Sequence, residues 1–390
     1  MKKYLKMTPE GMKDFLFAEC SAMDDVCGRI EKVFTERGFK KVITPGIEFY
    51  DVFSLPCSGI SQEDMFKLCD NKGRLMVVRP DSTLPIARMV STRLQNNVMP
   101  VRLYYKQAVY RNNPTLTGRR NEMMQMGVEL LGVQGVRADL EIITTAVRAL
   151  KSVAGDFRIE LGHAEVFDAL SDELEINNSY KEKIRLSIEG KNYSALNNLL
   201  DKLEPCKAVS AIRSLPSLFG GEEVFSKAYE ICQGTKAVQA LDYLHKIYTS
   251  LLALGLGDKL IIDLGLVQRN DYYTGIVFTG YISGIGDAVL SGGRYDELLS
   301  EFDFPMGAAG FAIDTDAVTL KTLSDANVSY SDNPDVLVFA GDGCELEGIA
   351  LVEKLNKEGK KAQFSVLETL EQTKSFAEKR GIAEVIVCSR

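Results

Sequence analysis

Histidine is nearly absent from this chain: only His163 and His245 occur in 390 residues. No two of its eight cysteines (20, 27, 57, 69, 206, 232, 344, 388) form a CxxC pair. The ligand spacing of a zinc site is therefore missing, and no metal is expected. Scattered, unpatterned cysteine in a chain of this size points to a reducing cytoplasm and not to a disulfide framework. Long hydrophobic runs are lacking too, so no segment is expected to span a bilayer. The N-terminus MKKYLKMTPEGMKDF has early lysines but no apolar stretch behind them, which predicts no signal peptide. There is no basic excess either. Lysine and arginine number 46 against 54 acids, a net charge of −8. Bulk electrostatics therefore oppose a nucleic-acid partner, and only a local patch could offset that.

What remains is an ordinary soluble composition, 45% hydrophobic and 26% charged, in a chain long enough for two or three domains. Residues 21–37 carry Val26, Ile30, Val33 and Phe34 at helical spacing, and Gly38 stops the helix. KKVITP reads as a short strand closed by Pro45. Runs at 65–69 and 74–78 are joined by Asp70-Asn71-Lys72-Gly73, a hairpin turn. A helix is expected from Ser82 to about Leu94, capped by Asp81 or Ser82. Residues 101–111, 123–132 and 157–167 read as strands, and 137–153 as a helix. Residues 168–256 read as a helical insert, after which strands return at 259–266, 276–282 and 306–313. Residues 321–334 have linker composition, and 335–390 alternate β-α-β-α-β, as a small parallel sheet does. The expected fold class is α+β for 1–320, followed by a small α/β domain at 335–390.

Five stretches place polar residues where a core is expected. VVRPDSTLP (77–85) sets Arg79 and Asp81 just before a helix, as a cap with a salt bridge or as a carboxylate for an ammonium group. In 110–132, Gln125, Gly127 and Glu129 share one face of a strand whose other face is Met124, Met126, Val128 and Leu130. A buried Gln and Glu there need hydrogen bonds, and a solvated face would need none. The loop arginines Arg111, Arg119 and Arg120 could grip an anion or be solvated. Asp271, Tyr272 and Tyr273 head a β-prone run and satisfy either each other or a small polar ligand. LSGGRYDELL (290–299) reads as a tight turn or a close backbone approach. MGAAGFAIDTDAV (306–318) is a small-residue strand entering a helix.

In order, PDST, YR…GRR…MQMGVELLG, NDYYTGIVF, SGGRYD and GAAGFAI resemble the histidyl-tRNA synthetase family over about 1–320. GFKKVITPGIE (38–48) resembles that family's first class II motif, which forms a homodimer. The resemblance implies a class II aminoacyl-tRNA synthetase-like antiparallel sheet with flanking helices. It implies histidine held among Asp81, Thr83, Gln125, Glu129 and Tyr273, with Tyr272 and Arg111 nearby. The family usually has Glu where this chain has Asp81.

The ATP side departs from the family. Its Arg-x-Glu is here Arg111-Asn112-Asn113, its histidine-specific catalytic arginine falls on Gln268 with Arg269 one residue along, and its phosphate-gripping arginine falls on Ala317 after Asp314 and Asp316. Losing one group that stabilises transition-state charge costs on the order of 10²–10³ in rate. No catalytic residue and no cofactor is therefore expected. The segment 335–390 holds ten acids and eight bases and stops after three strands, so it reads as a truncated anticodon-binding-like domain with a poor footprint for tRNA. A synthetase-like body that keeps the amino-acid pocket and loses the activation chemistry resembles the regulatory subunits of ATP phosphoribosyltransferase. That resemblance implies a homodimer within a hetero-oligomer, a short catalytic partner subunit, and L-histidine as effector.

Overall fold

The computed structural model describes residues 4–55, 58–114, 119–267, 272–325, 330 and 333–389. The chain divides into two compact units, Met1–Phe15 with Ala22–Ala326 and Leu16–Ser21 with Asn327–Arg390.

The chain opens with helix α1 (Ala18–Glu36), which ends where Gly38 takes a φ of +78° that L side chains resist. Strands β1 (Lys40–Lys41), β2 (Ile47–Phe49), β3 (Lys67–Cys69) and β4 (Leu75–Val78) lead into helix α2 (Thr83–Arg93). The long strands β5 (Val101–Tyr110) and β6 (Glu122–Leu131) precede α3 (Val136–Val153) and β7 (Phe157–His163). Helices α4 (Ala164–Ser171), α5 (Asn178–Glu189), α6 (Tyr193–Leu200) and α7 (Lys207–Ser214) follow, then β8 (Phe219–Gly220), α8 (Glu223–Cys232) and α9 (Ala237–Ala253). Strands β9 (Leu260–Asp263), β10 (Ile276–Ile282), β11 (Leu290–Arg294) and β12 (Ala308–Asp314) then run into α10 (Thr315–Ser324).

Among the described residues these strands build a nine-stranded sheet in the order β1-β5-β6-β12-β11-β10-β7-β9-β8. Pairing is antiparallel except for β1 with β5 and β7 with β9. The class II synthetase-like sheet with flanking helices expected from the sequence is therefore present. Strand periodicity sorts its two faces. The back face of β6 and β12 puts Met126, Val128, Phe311 and Ile313 into one core with Ile30 and Phe34 of α1 and Ile142 and Leu150 of α3. Phe34 touches the rings of Phe39, Tyr104 and Phe311, so Phe34→Ala costs about 3–5 kcal/mol. The front face puts Leu103, Tyr105, Leu131, Tyr272 and Tyr295 against Leu84 and Ile86 of α2. Helices α4 to α9 share the back-face core through Leu170, Leu241 and Leu244.

Two local expectations need correction. The strand expected over 157–167 stops at His163. Val166, Phe167 and Leu170 instead bury one face of helix α4. A short apolar run fits either period, and packing decides. Residues 290–294 form a strand and not a turn. A Cβ on Gly292 would crowd Gly310 O and Phe311 Cβ on the adjoining strand, so glycine lets β11 fit between β10 and β12.

A second sheet, β2-β4-β3, is antiparallel. Its hairpin turns at Asp70–Gly73, where Asp70 Oδ1 accepts from the amides of Lys72 (2.8 Å) and Arg74 (2.9 Å). In the second unit, β13 (Val336–Ala340), α11 (Glu345–Lys357), β14 (Ala362–Phe364), α12 (Leu370–Arg380) and β15 (Glu384–Cys388) form a parallel sheet ordered β14-β13-β15. Thr369 and Gln372 close a capping box on α12, and Gly381 ends it in the left-handed region.

Candidate functional site

Glu129 is the centre of the front face. It is 1% exposed, lies opposite Gly310 of β12, and carries a hydrogen bond on each oxygen. Thr83 Oγ1 donates to Oε1 at 2.9 Å, and the Tyr295 hydroxyl donates to Oε2. Any side chain at Gly310 would collide with that carboxyl, which explains the small-residue strand. Burial pushes Glu129 up to about 8, and the nearby Asp81 adds to the rise while the two hydroxyls oppose it. At neutral pH Glu129 therefore holds a proton.

Asp81 provides the cap of α2: its Oδ1 accepts from the amides of Thr83 (2.8 Å) and Leu84 (3.1 Å), while Ser82 makes no side-chain cap bond. Ser82 instead accepts from Gln107 Nε2 at 2.9 Å. Burial raises the Asp81 carboxyl also, against the opposing pull of those amides and of Arg111. Arg79 forms no salt bridge with Asp81, although each feels the other's charge. Its guanidinium is spent on the carbonyls of Thr44, Pro45 and Ala108.

Three tyrosines wall the pocket. Tyr272 meets Tyr295 edge-on at 5.6 Å and Tyr273 at 4.8 Å, and Tyr273 lies over Gly293, where a Cβ would run into its ring. Burial raises the hydroxyls of Tyr105, Tyr272 and Tyr295 well above the usual tyrosine range. Tyr273 also lines a cavity of about 400 Å³ with Asp168 of α4 and Lys181 and Arg185 of α5, so the helical segment reaches the site.

The fold thus gathers Asp81, Thr83, Glu129, Tyr272 and Tyr273. Gln125 shares their face but lies two pleats from Glu129, opposite Gln107 and Asp314, with its amide 3.8 Å from the Met123 sulfur. Arg111 stands at the rim, its Nε 3.4 Å from the Pro80 carbonyl. Gln268, Arg269 and Asp271 lie outside the described residues. Tyr295 was missed by sequence reasoning, although its motif SGGRYD gave the signal. The same motif's Arg294 is held by Asp139 of α3 at 2.6 Å and by Asp296 at 2.8 Å, and Tyr243 donates to Asp139 at 2.6 Å. Asp314 caps α10 through the Ala317 amide at 3.0 Å. Asp316, expected beside it as a second acid on the ATP side, instead bonds the Met124 amide and borders the back of the sheet.

Comparison with known proteins fits this geometry. The histidyl-tRNA synthetase family profile matches residues 11–318. An ATP phosphoribosyltransferase regulatory subunit of Clostridium acetobutylicum is 38% identical over 99% of this chain and 95% of that protein. One of Clostridium kluyveri is 38% identical over 98% of this chain and 99% of that protein. A crystal structure from Bacillus halodurans, described as an ATP phosphoribosyltransferase regulatory subunit/histidyl-tRNA synthetase, superposes with a TM-score of 0.87 at 29% identity over 99% of each chain. A histidyl-tRNA synthetase from a Nostoc species shares the fold with a TM-score of 0.78 at 21% identity. On its sequence, its sheet and its relatives, the chain belongs to the histidyl-tRNA synthetase-like family of ATP phosphoribosyltransferase regulatory subunits.

Proposed function

We infer that this chain performs no chemistry of its own and regulates a short catalytic subunit of ATP phosphoribosyltransferase in the cytoplasm. It activates that subunit for the first step of histidine biosynthesis and passes on feedback inhibition by L-histidine. The observation that carries the reading is Glu129, a buried acid with both oxygens engaged but, among the described residues, no cationic side chain bonded to it. A histidine ammonium or imidazolium would supply the missing charge, with Asp81 and Thr83 on one side and Tyr272 and Tyr273 on the other. Gln125 and Arg111 would meet the ligand's outer end.

Asn113, Gln268 and Ala317 stand where the family resemblance expects the groups that hold ATP. Gln268 and Ala317 fall on arginine positions and cannot supply positive charge to a triphosphate, and Asn113 falls on the glutamate near the adenine end, which supports a sensor and not a synthetase. A homodimer is supported by exposed apolar side chains along the first motif and its small sheet, Ile43, Ile47, Phe49 and Leu75. Feedback requires that histidine bind two assembly states unequally, typically by about 1–3 kcal/mol.

The test is calorimetric titration with L-histidine, with and without ATP and Mg²⁺, beside a pyrophosphate-exchange assay and reconstitution with the catalytic subunit. Binding indifferent to ATP, no exchange, and histidine-sensitive activation are expected. ATP-dependent exchange would overturn the non-catalytic reading. Failure of the reconstituted complex to bind histidine would overturn the pocket assignment.

A further inference from the structure

A cavity of about 520 Å³ lies behind the sheet, separate from the site around Glu129. Its floor is Ala108 and Met124, which face each other across β5 and β6 on the side opposite Gln125 and Glu129. Met23 of α1 and Met12 of the N-terminal segment complete an apolar wall. That segment is strapped in place: the Gly11 carbonyl accepts from the Asn121 amide at 2.8 Å, and the Glu10 carbonyl accepts from Asn121 Nδ2 at 3.0 Å.

Of the polar side chains that line this space, Asp316 and Arg120 each carry a buried atom left open. Asp316 is 3% exposed; its Oδ2 accepts from the Met124 amide at 3.1 Å, and its Oδ1 has no hydrogen-bond partner among the described residues. Arg120 Nη1 comes within 3.3 Å of Oδ2, an ion pair without a hydrogen bond, and among the described residues this buried nitrogen also lacks a hydrogen-bond partner. A buried acceptor and a buried donor left open side by side are costly, and together they define what would satisfy them. Glu122 does not compete for the arginine through its Oε1, which accepts from the Tyr110 hydroxyl at 2.9 Å. Burial holds Asp316 up at about 6, so at neutral pH it is mostly an acceptor.

We propose that this cavity is a second ligand site, for a flat ring bearing a neighbouring hydrogen-bond donor and acceptor, of the aromatic carboxamide or aminoheterocycle class. The ligand's N–H donates to Asp316 Oδ1, its acceptor receives a hydrogen bond from Arg120 Nη1–H, and its ring lies among Met12, Met23, Met124 and Ala108. The volume suits such a molecule, since small-molecule pockets run from about 300 to 1,000 Å³.

The test is methyl NMR of the full chain labelled at methionine Cε, titrated with benzamide and, separately, with acetophenone. Acetophenone keeps the ring and carbonyl but has no N–H. Benzamide is expected to shift Met12, Met23 and Met124 in a saturable way, whether or not L-histidine is present. Acetophenone is expected to bind about tenfold more weakly or worse, having lost a hydrogen bond to a carboxylate. Ala108→Leu fills the floor and should abolish the shifts, and it leaves the Met124–Asp316 bond in place where Asp316→Ala would remove it. No shift at these methyls, equal binding of acetophenone, or displacement of benzamide by L-histidine would each overturn the site. Calorimetric titration of the same protein with L-histidine follows the front pocket, so failure of one site is read apart from failure of the other.

Discussion

The two faces of strand β6 each border a buried acid, and the two acids are built differently. On the front, Glu129 receives two hydroxyl hydrogen bonds, sits near a second carboxyl in Asp81, and has no arginine or lysine among the groups that shift it. Behind the sheet, Asp316 keeps one oxygen open, and Arg120 stands beside it. Burial raises both, to about 8 and about 6. The difference follows partly from where the positive charge comes from. Asp316 has one from its own chain. Among the described residues Glu129 has none, and so it keeps its proton until a cation from outside favours the charged form. A third acid, Asp139, shows the limit in which the chain supplies everything: Arg294 and Tyr243 both bond it.

That contrast can be broken at several points. The largest effect is expected at the fully paired acid. Asp139→Ala leaves Arg294 buried with only Asp296 as a charged partner and should cost about 3 kcal/mol in a denaturant melt. Next comes the pH dependence of stability. Glu129 holds its proton in the folded chain up to about 8, whereas an unfolded glutamate loses it near 4.3. The native state therefore binds more protons between those values, and stability falls as pH rises through that window. Glu129→Gln removes the titration, so its melting temperature relative to the parent chain should climb from pH 5 to pH 8. A constant difference across that range would mean that Glu129 is ionised in the native state.

The same variant should bind L-histidine about 10- to 100-fold more weakly, the value of a hydrogen bond to a charged partner, as read by calorimetry. Unchanged affinity would move the ligand away from Glu129. The smallest effect is expected from Tyr295→Phe, which removes one hydroxyl from Oε2 and should cost about 1 kcal/mol in stability. It should also raise Glu129 further, because that hydroxyl holds it down.

The strands that carry the site were legible in the sequence because long alternating runs have one reading. β5 and β6 lie within a residue or so of where the pattern puts them, and Asp70–Gly73 closes the hairpin it was expected to close. Helix α4 was not legible. AEVF continues an apolar strand as well as it starts a helix, and only its burial against the insert decides. β11 was hidden for the opposite reason: SGGR has little strand propensity, and its neighbours on both sides hold it in place. Among the site residues, Thr83, Asp81 and Glu129 carry signals in their own segments. Tyr295 reaches Glu129 across 166 positions, and no local pattern encodes that pairing. The open oxygen of Asp316 is a still more distant product of packing, since it depends on where Met23, Met124 and Arg120 come to rest.

The first turn of α2 is made from the same atoms as the pocket. Thr83 gives its hydroxyl to Glu129 and its amide to Asp81, and the Leu84 amide shares that carboxyl. Whatever draws the Asp81 charge toward a ligand weakens its hold on those two amides. Slow deuterium exchange at Thr83 and Leu84 in the empty protein, quickening on occupancy, would make the start of this helix an internal gauge of how full the pocket is.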